Sequence, residues 1–176
     1  RKSGLNKKMK GDDMQDKSLR TKRSGEFGEN LVTDIMSKEW GFDVDRIDSV
    51  GADLSAYKDG VAYIISVKYR RFTPGESLQE GFDFKDESKL KEAARRRCGA
   101  TGIVAFIGCF LKDGKQITVC SFINSSHLIL LPKRKDNYVF YFDDKNSTFE
   151  KLIQDGVIYR VVEKRDLGNS VNGVDF

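Results

Sequence analysis

At 176 residues and 39% hydrophobic content, the chain is long enough for one well-buried core and too short for two ordinary domains. No run approaches eighteen apolar residues, and no charged-then-apolar start with a cleavage site is present, so neither a membrane span nor a secretory signal is expected. The net charge of +4 is uneven: residues 1–23 hold nine Lys or Arg against three Asp, which leaves the remaining 153 residues at about −2.

These features predict a soluble, cytoplasmic or nucleoid-associated protein. A basic arm on a near-neutral domain would be drawn to polyphosphate with strong salt dependence. The division expected is a basic disordered arm over 1–17, one domain over 18–165 and a tail over 166–176. Three cysteines, Cys98, Cys109 and Cys120, form no CxxC pair, and none sits close to the single histidine, His127. Zinc sites, disulfide frameworks and histidine triads are therefore disfavoured, and the apolar neighbours at 108–110 and 119–121 suggest small buried core residues. Catalysis, if any, must rest on carboxylates, lysine and a bound cation.

In chain order, Phe27, Leu31, Val32, Ile35 and Met36 fall at helical spacing, predicting a first helix that ends before Gly41. Glu29 lies about 110° from the centre of its apolar face, on a flank that could reach over a sheet edge. Residues 42–47 and 51–57 read as extended. The Asp59-Gly60 pair then signals a hairpin into a strand over 61–70. On that strand Ser66, Lys68 and Arg70 share one face, while Tyr63, Ile65, Val67 and Tyr69 share the other.

Residues 71–85, with Pro74, Gly75 and Gly81 among polar residues, read as a long functional loop. A second helix follows from Asp86, its expected cap, to Gly99. Extended runs are expected over 102–111, 116–123 and 128–131, a strand over 138–142, a short capped helix over 147–155 and a last strand over 157–162.

An aspartate opening one hairpin strand and a lysine on the next suit phosphodiester hydrolysis. That reaction needs a divalent cation, carboxylates to hold it, and a lysine to position the nucleophile or stabilise developing charge. Asp53 and Lys68 can supply two of these functions, and the Val67 carbonyl could add a metal ligand. Arg70 and Arg71, with Lys22 and Arg23, are candidate phosphate contacts.

The succession Gly25-Glu26-Phe27-Gly28-Glu29, Gly51-Ala52-Asp53-Leu54 and Ile65-Ser66-Val67-Lys68-Tyr69-Arg70, followed by a helix and an apolar strand, resembles the PD-(D/E)XK nuclease superfamily. This superfamily includes restriction endonucleases and Holliday-junction resolvases, and the resemblance spans roughly residues 24–108. It implies an α/β three-layer sandwich with a mixed central β-sheet, the two helices on opposite faces. It also implies Mg²⁺, with Mn²⁺ as substitute, and DNA as substrate, with RNA and a homodimer kept as alternatives.

In that resemblance Asp53 is the principal metal ligand, Lys68 the catalytic lysine and Glu29 an assisting acid. Ser66 departs from the pattern, because a hydroxyl stands where the second acid is expected. Glu87 on the following helix would replace that acid, with Glu76, Glu80 and Asp83 as substitutes. The rival reading is a catalytically inactive DNA-binding or assembly subunit of the same fold.

Overall fold

The computed structural model describes residues 22–166. The expected basic arm and most of the expected C-terminal tail lie outside them. Helix α1 covers residues 22–34 and continues into a π-helical turn, Ile35–Glu39. The strands β1 (Asp43–Ser49), β2 (Ala52–Lys58) and β3 (Val61–Arg71) follow. Next come β4 (Gln79–Asp83), α2 (Phe84–Arg96), β5 (Thr101–Lys112) and β6 (Lys115–Asn124). A 3-10 turn (Ser125–Leu130), β7 (Lys133–Arg134), β8 (Asn137–Tyr141), α3 (Ser147–Gln154) and β9 (Ile158–Asp166) complete the order. None of these helices is long and apolar enough to cross a membrane.

Six strands form a mixed sheet in the order β1-β2-β3-β5-β6-β9. Among the described strands only β3 and β5 run parallel, Tyr63 opposite Thr101 through Arg71 opposite Cys109, so the chain must cross over between them. That crossover contains β4 and α2. The hairpin between β2 and β3 turns at Asp59 and Gly60, both at positive φ (52° and 81°), the geometry that an Asp-Gly pair accommodates.

The two sheet faces carry separate cores. Val32, Ile35 and Met36 of α1 pack with Leu54, Ile65, Ala105 and Ile107. Leu90 and Ala93 of α2 pack with Ile64, Val104 and Phe106 on the other side. The three-layer α/β arrangement with a mixed central sheet is therefore present, with α1 and α2 on opposite faces. Gly28 makes the α1 contact close: a Cβ there would stand 3.0 Å from Tyr69 Cβ and 3.2 Å from Val67 Cγ1.

Four expectations need correction. The supposed loop 71–85 contains β4, which pairs with β8, Phe82 opposite Tyr138, in a second antiparallel sheet ordered β4-β8-β7. The cap of α2 is Asp83, whose carboxylate accepts from Lys85 N at 2.6 Å, and the helix begins at Phe84 instead of after Asp86. The 128–131 run belongs largely to the 3-10 turn, started by the Asn124 side chain accepting from Ser126 N. Cys98, at φ 55°, is exposed, whereas Cys109 and Cys120 are buried.

Candidate active site

The ladder between β2 and β3 has Leu54 opposite Ile65, and the chemistry-bearing residues lie at the β2 end beyond that pair. There the Val67 main-chain N–H donates to Asp53 Oδ2 at 2.7 Å. In a paired extended strand a residue's N–H and C=O point to the same edge, so the Val67 carbonyl faces the Asp53 side as well. Ser66, beside it, is buried.

Lys68 shares a sheet face with Ile64, the face covered by α2. Its ammonium stands 2.7 Å from Asp86 Oδ2 and 5.4 Å from the centre of the Phe82 ring. Because α2 starts at Phe84, Asp86 lies in its first turn, where the helix dipole also favours an anion. Burial opposes ionisation of Asp86, but hydrogen bonds and charge from Lys68, then from Lys89, prevail and hold its carboxyl below the usual range.

Glu87, one residue on, points elsewhere. Tyr138 OH donates to its Oε2 at 2.7 Å, and Lys91 Nζ lies 2.6 Å from its Oε1. Burial first, then the hydrogen bond and charge of Glu87, push the Tyr138 phenol up to about 12. The loop acids are also engaged: Glu76 and Glu80 flank Arg70 at 3.4 and 3.2 Å, and Asp83 caps α2. Arg70 additionally lies over the Phe72 ring at 4.9 Å.

Glu29 of α1 has Arg46 Nη1, from β1, 3.6 Å from its Oε2. Burial raises its carboxyl above the ordinary value, Arg46 lowers it, and the negative charges of Asp53 and Glu26 raise it again. Lys22 and Arg23 are exposed on the first turn of α1, and Arg71 is exposed at the far end of β3.

The structure thus brings Asp53 to Val67 and Glu29 to Arg46, while it joins Glu87 to Tyr138 and Lys91. Among the described residues, no group of three or more His, Cys, Asp or Glu side chains is arranged to hold a metal ion. The acid that the structure pairs with Lys68 is Asp86, which sequence reasoning had assigned only to a helix cap. Its signal was present, a second acid one position before Glu87, but its assignment as a helix cap removed it from consideration.

Gly51 fixes the approach of the two acid-bearing segments. At φ +90°, it brings the β1–β2 turn so close to α2 that a Cβ would stand 2.6 Å from the Lys89 carbonyl carbon.

No family model matches the chain, and neither does any curated protein. Among solved structures, Hjc of Archaeoglobus fulgidus, a Holliday junction resolvase from an archaeal hyperthermophile, is similar over 70% of this chain and 88% of its own. The two are 18% identical with a TM-score of 0.46, too distant to carry a residue's role from one to the other.

Proposed function

We propose that the chain is a divalent-cation-dependent nuclease of restriction-endonuclease-like design that hydrolyses phosphodiester bonds in DNA. The observation that carries the reading is the Asp53 carboxylate bonded to the Val67 main chain, with Lys68, the next residue, held by Asp86.

The donors available are hard oxygens, from Asp53, the Val67 carbonyl and the neighbouring Glu29. Mg²⁺ is commonly held by one or two carboxylates plus water and substrate phosphate, so this set fits it without a three-acid cage. The bound cation would neutralise the phosphate and lower the pKa of a water molecule. Lys68 then orients the attacking oxygen or meets the charge that develops on the phosphate. Asp86 keeps the Lys68 ammonium in position. Glu29 tunes the charge around Asp53.

A second reading has an observation in its favour. The Lys68–Asp86 pair, which neutralises the lysine, suits a DNA-binding subunit without catalysis. Incubating supercoiled plasmid with the protein and Mg²⁺ or Mn²⁺ separates the two. Nicking that stops with chelator and is lost in Asp53→Asn supports the nuclease; intact plasmid with retained DNA binding supports the subunit.

A further inference from the structure

The small sheet β4-β8-β7 stands on the α2 side of the molecule, since Phe82, Tyr138 and Phe140 join the core that holds Leu90. It therefore lies on the same side as Lys68, whose ammonium touches the Phe82 ring. Phe82 is opposite Tyr138, and Tyr138 is opposite Lys133, whose ammonium stands 5.9 Å from the Tyr138 ring. Two strand spacings put Lys133 about 10 Å from Phe82. The turn that follows Arg134 is tied to the helix at the site: the Phe84 N–H donates to the Asp136 carbonyl at 3.0 Å, and Phe84 opens the helical turn that carries Asp86.

Other cations around the site are already matched by acids: Arg70 by Glu76 and Glu80, Lys89 by Asp86, and Lys91 by Glu87. Lys133, Arg134 and Lys135 are exposed, and none forms an ion pair with an acid among the described residues. Lys85, exposed in the first turn of α2, adds a fourth unmatched charge beside them, against Asp136 in the turn and the cap Asp83. Arg134 pairs with Asn137, which leaves Lys135 and Asp136 as a two-residue turn. Lys135 stands there at φ 54°, a left-handed backbone that Gly, Asn or Asp adopts with less strain. The geometry of the turn does not call for a lysine. Discouraging further strand pairing is a reason for cations on the edge strand β7, but that reason ends at Arg134.

We infer that the β7–β8 turn, with Lys133, Arg134, Lys135 and the adjoining Lys85, holds the phosphate backbone of duplex DNA beside the candidate active site. The inference rests on the nuclease reading for the identity of the polymer, and it adds the element that grips it. A separation of about 10 Å corresponds to about three nucleotide steps along one strand, so the turn would meet the same backbone a few phosphates from the one at Lys68. The patch offers charge without a stacking platform: Tyr138 is buried, and Phe84 lies against it with ring centres 4.8 Å apart. An unpaired base would find no exposed ring there, whereas the backbone of a duplex needs none.

The test is fluorescence anisotropy of the full chain with a blunt DNA duplex, without divalent cations, over a range of KCl concentrations. Lys135→Gly removes the charge and gives the turn a residue suited to its backbone, so the variant should melt no lower than the unchanged protein. Its duplex affinity should nevertheless fall roughly five- to tenfold at about 0.1 M salt, and the slope of log affinity on log salt should become shallower by about one. Arg134→Gln should lose affinity and slope to a similar degree. Lys112→Gln removes a charge from an exposed position at the end of β5 and should leave both readings as they are. Unchanged affinity and slope in Lys135→Gly and Arg134→Gln overturn the inference, and so does an equal loss in Lys112→Gln, which would reflect net charge alone. No cleavage is read, so failure to nick plasmid would defeat the nuclease reading alone, while turn variants that bind duplex as before would defeat this inference alone.

Discussion

Lys68 and Asp86 form a 2.7 Å ion pair across the gap between a central strand and the first turn of a helix, and each is about one-third exposed. Glu87, its immediate neighbour, hydrogen-bonds Tyr138 instead. The two acids should therefore respond differently to substitution. Asp86→Asn is expected to lower DNA cleavage on the order of 100-fold or more with the fold intact, because Lys68 loses the charge that positions it. Glu87→Ala should keep most of the activity and lose about 1–2 kcal/mol of stability, the scale of a partly buried hydrogen bond to a charged group. Single-turnover cleavage and urea unfolding of both variants check this; an inactive but stable Glu87→Ala would put Glu87 in the machinery instead.

The same pair predicts an acid limb in the stability profile. The folded carboxyl of Asp86 is held below its unfolded range, so its contribution is present above the unfolded value and is lost as pH falls toward the folded one. With both side chains open to solvent, the contribution should stay within about 1 kcal/mol. Lys68→Met should make the fall in urea midpoint between about pH 5 and about pH 2 shallower than in the unchanged protein. Identical slopes would show that the pair does not couple to folding.

At Asp53, structure and chemistry can be separated. Asp53→Ala removes the acceptor of the Val67 N–H and should cost about 1 kcal/mol, whereas Asp53→Asn retains an oxygen there and should fold nearly normally. Both should lose cleavage. Mg²⁺ should raise the melting temperature of the unchanged protein more than that of either variant, since an ion bound only to the native state stabilises it. Equal shifts in all three would mean that the ion binds elsewhere.

Glu29 carries the opposite sign from Asp86. Its carboxyl is raised by burial, partly offset by Arg46, and raised further by Asp53 and Glu26, so it favours the fold below its unfolded value and loses that advantage as pH rises through the folded one. At neutral pH, Glu29→Gln should melt no lower than the unchanged protein, while cleavage falls. A clear loss of neutral-pH stability would contradict this account.

A steric prediction concerns Gly28. An added Cβ would meet Tyr69 and Val67 at 3.0 and 3.2 Å, so Gly28→Ala must lift α1 slightly from β3. We expect a cost of about 1 kcal/mol, with reduced cleavage as Glu29 shifts relative to Asp53. Thermal unfolding and single-turnover cleavage measure the two effects.

Elements with strong local periodicity were legible from the residues alone. The alternation on β3, its two faces, the Asp59-Gly60 turn and the apolar stripe of α1 all have causes within a few positions. The missed elements depend on distant partners. Gln79, Glu80, Gly81 and Asp83 give no apolar pattern, and β4 exists because β8, more than fifty residues later, completes its hydrogen bonds. The choice between Asp86 and Glu87 is a matter of helical phase, since adjacent residues differ by about 100° and a shifted start changes which one meets β3. Asp83 and Asp86 both precede apolar helical positions, so residue type could not determine which was the cap.

The contact between Gly51 and the main chain of Lys89 has a consequence for how such a protein can change over time. It ties the segment leading to Asp53 directly to the helix that carries Asp86, backbone against backbone. Side chains on either segment can therefore be exchanged without undoing the approach that sets them near β3. Exchanges at Ser66 or Asp86 therefore alter the charge beside β3 while that backbone approach stays as it is.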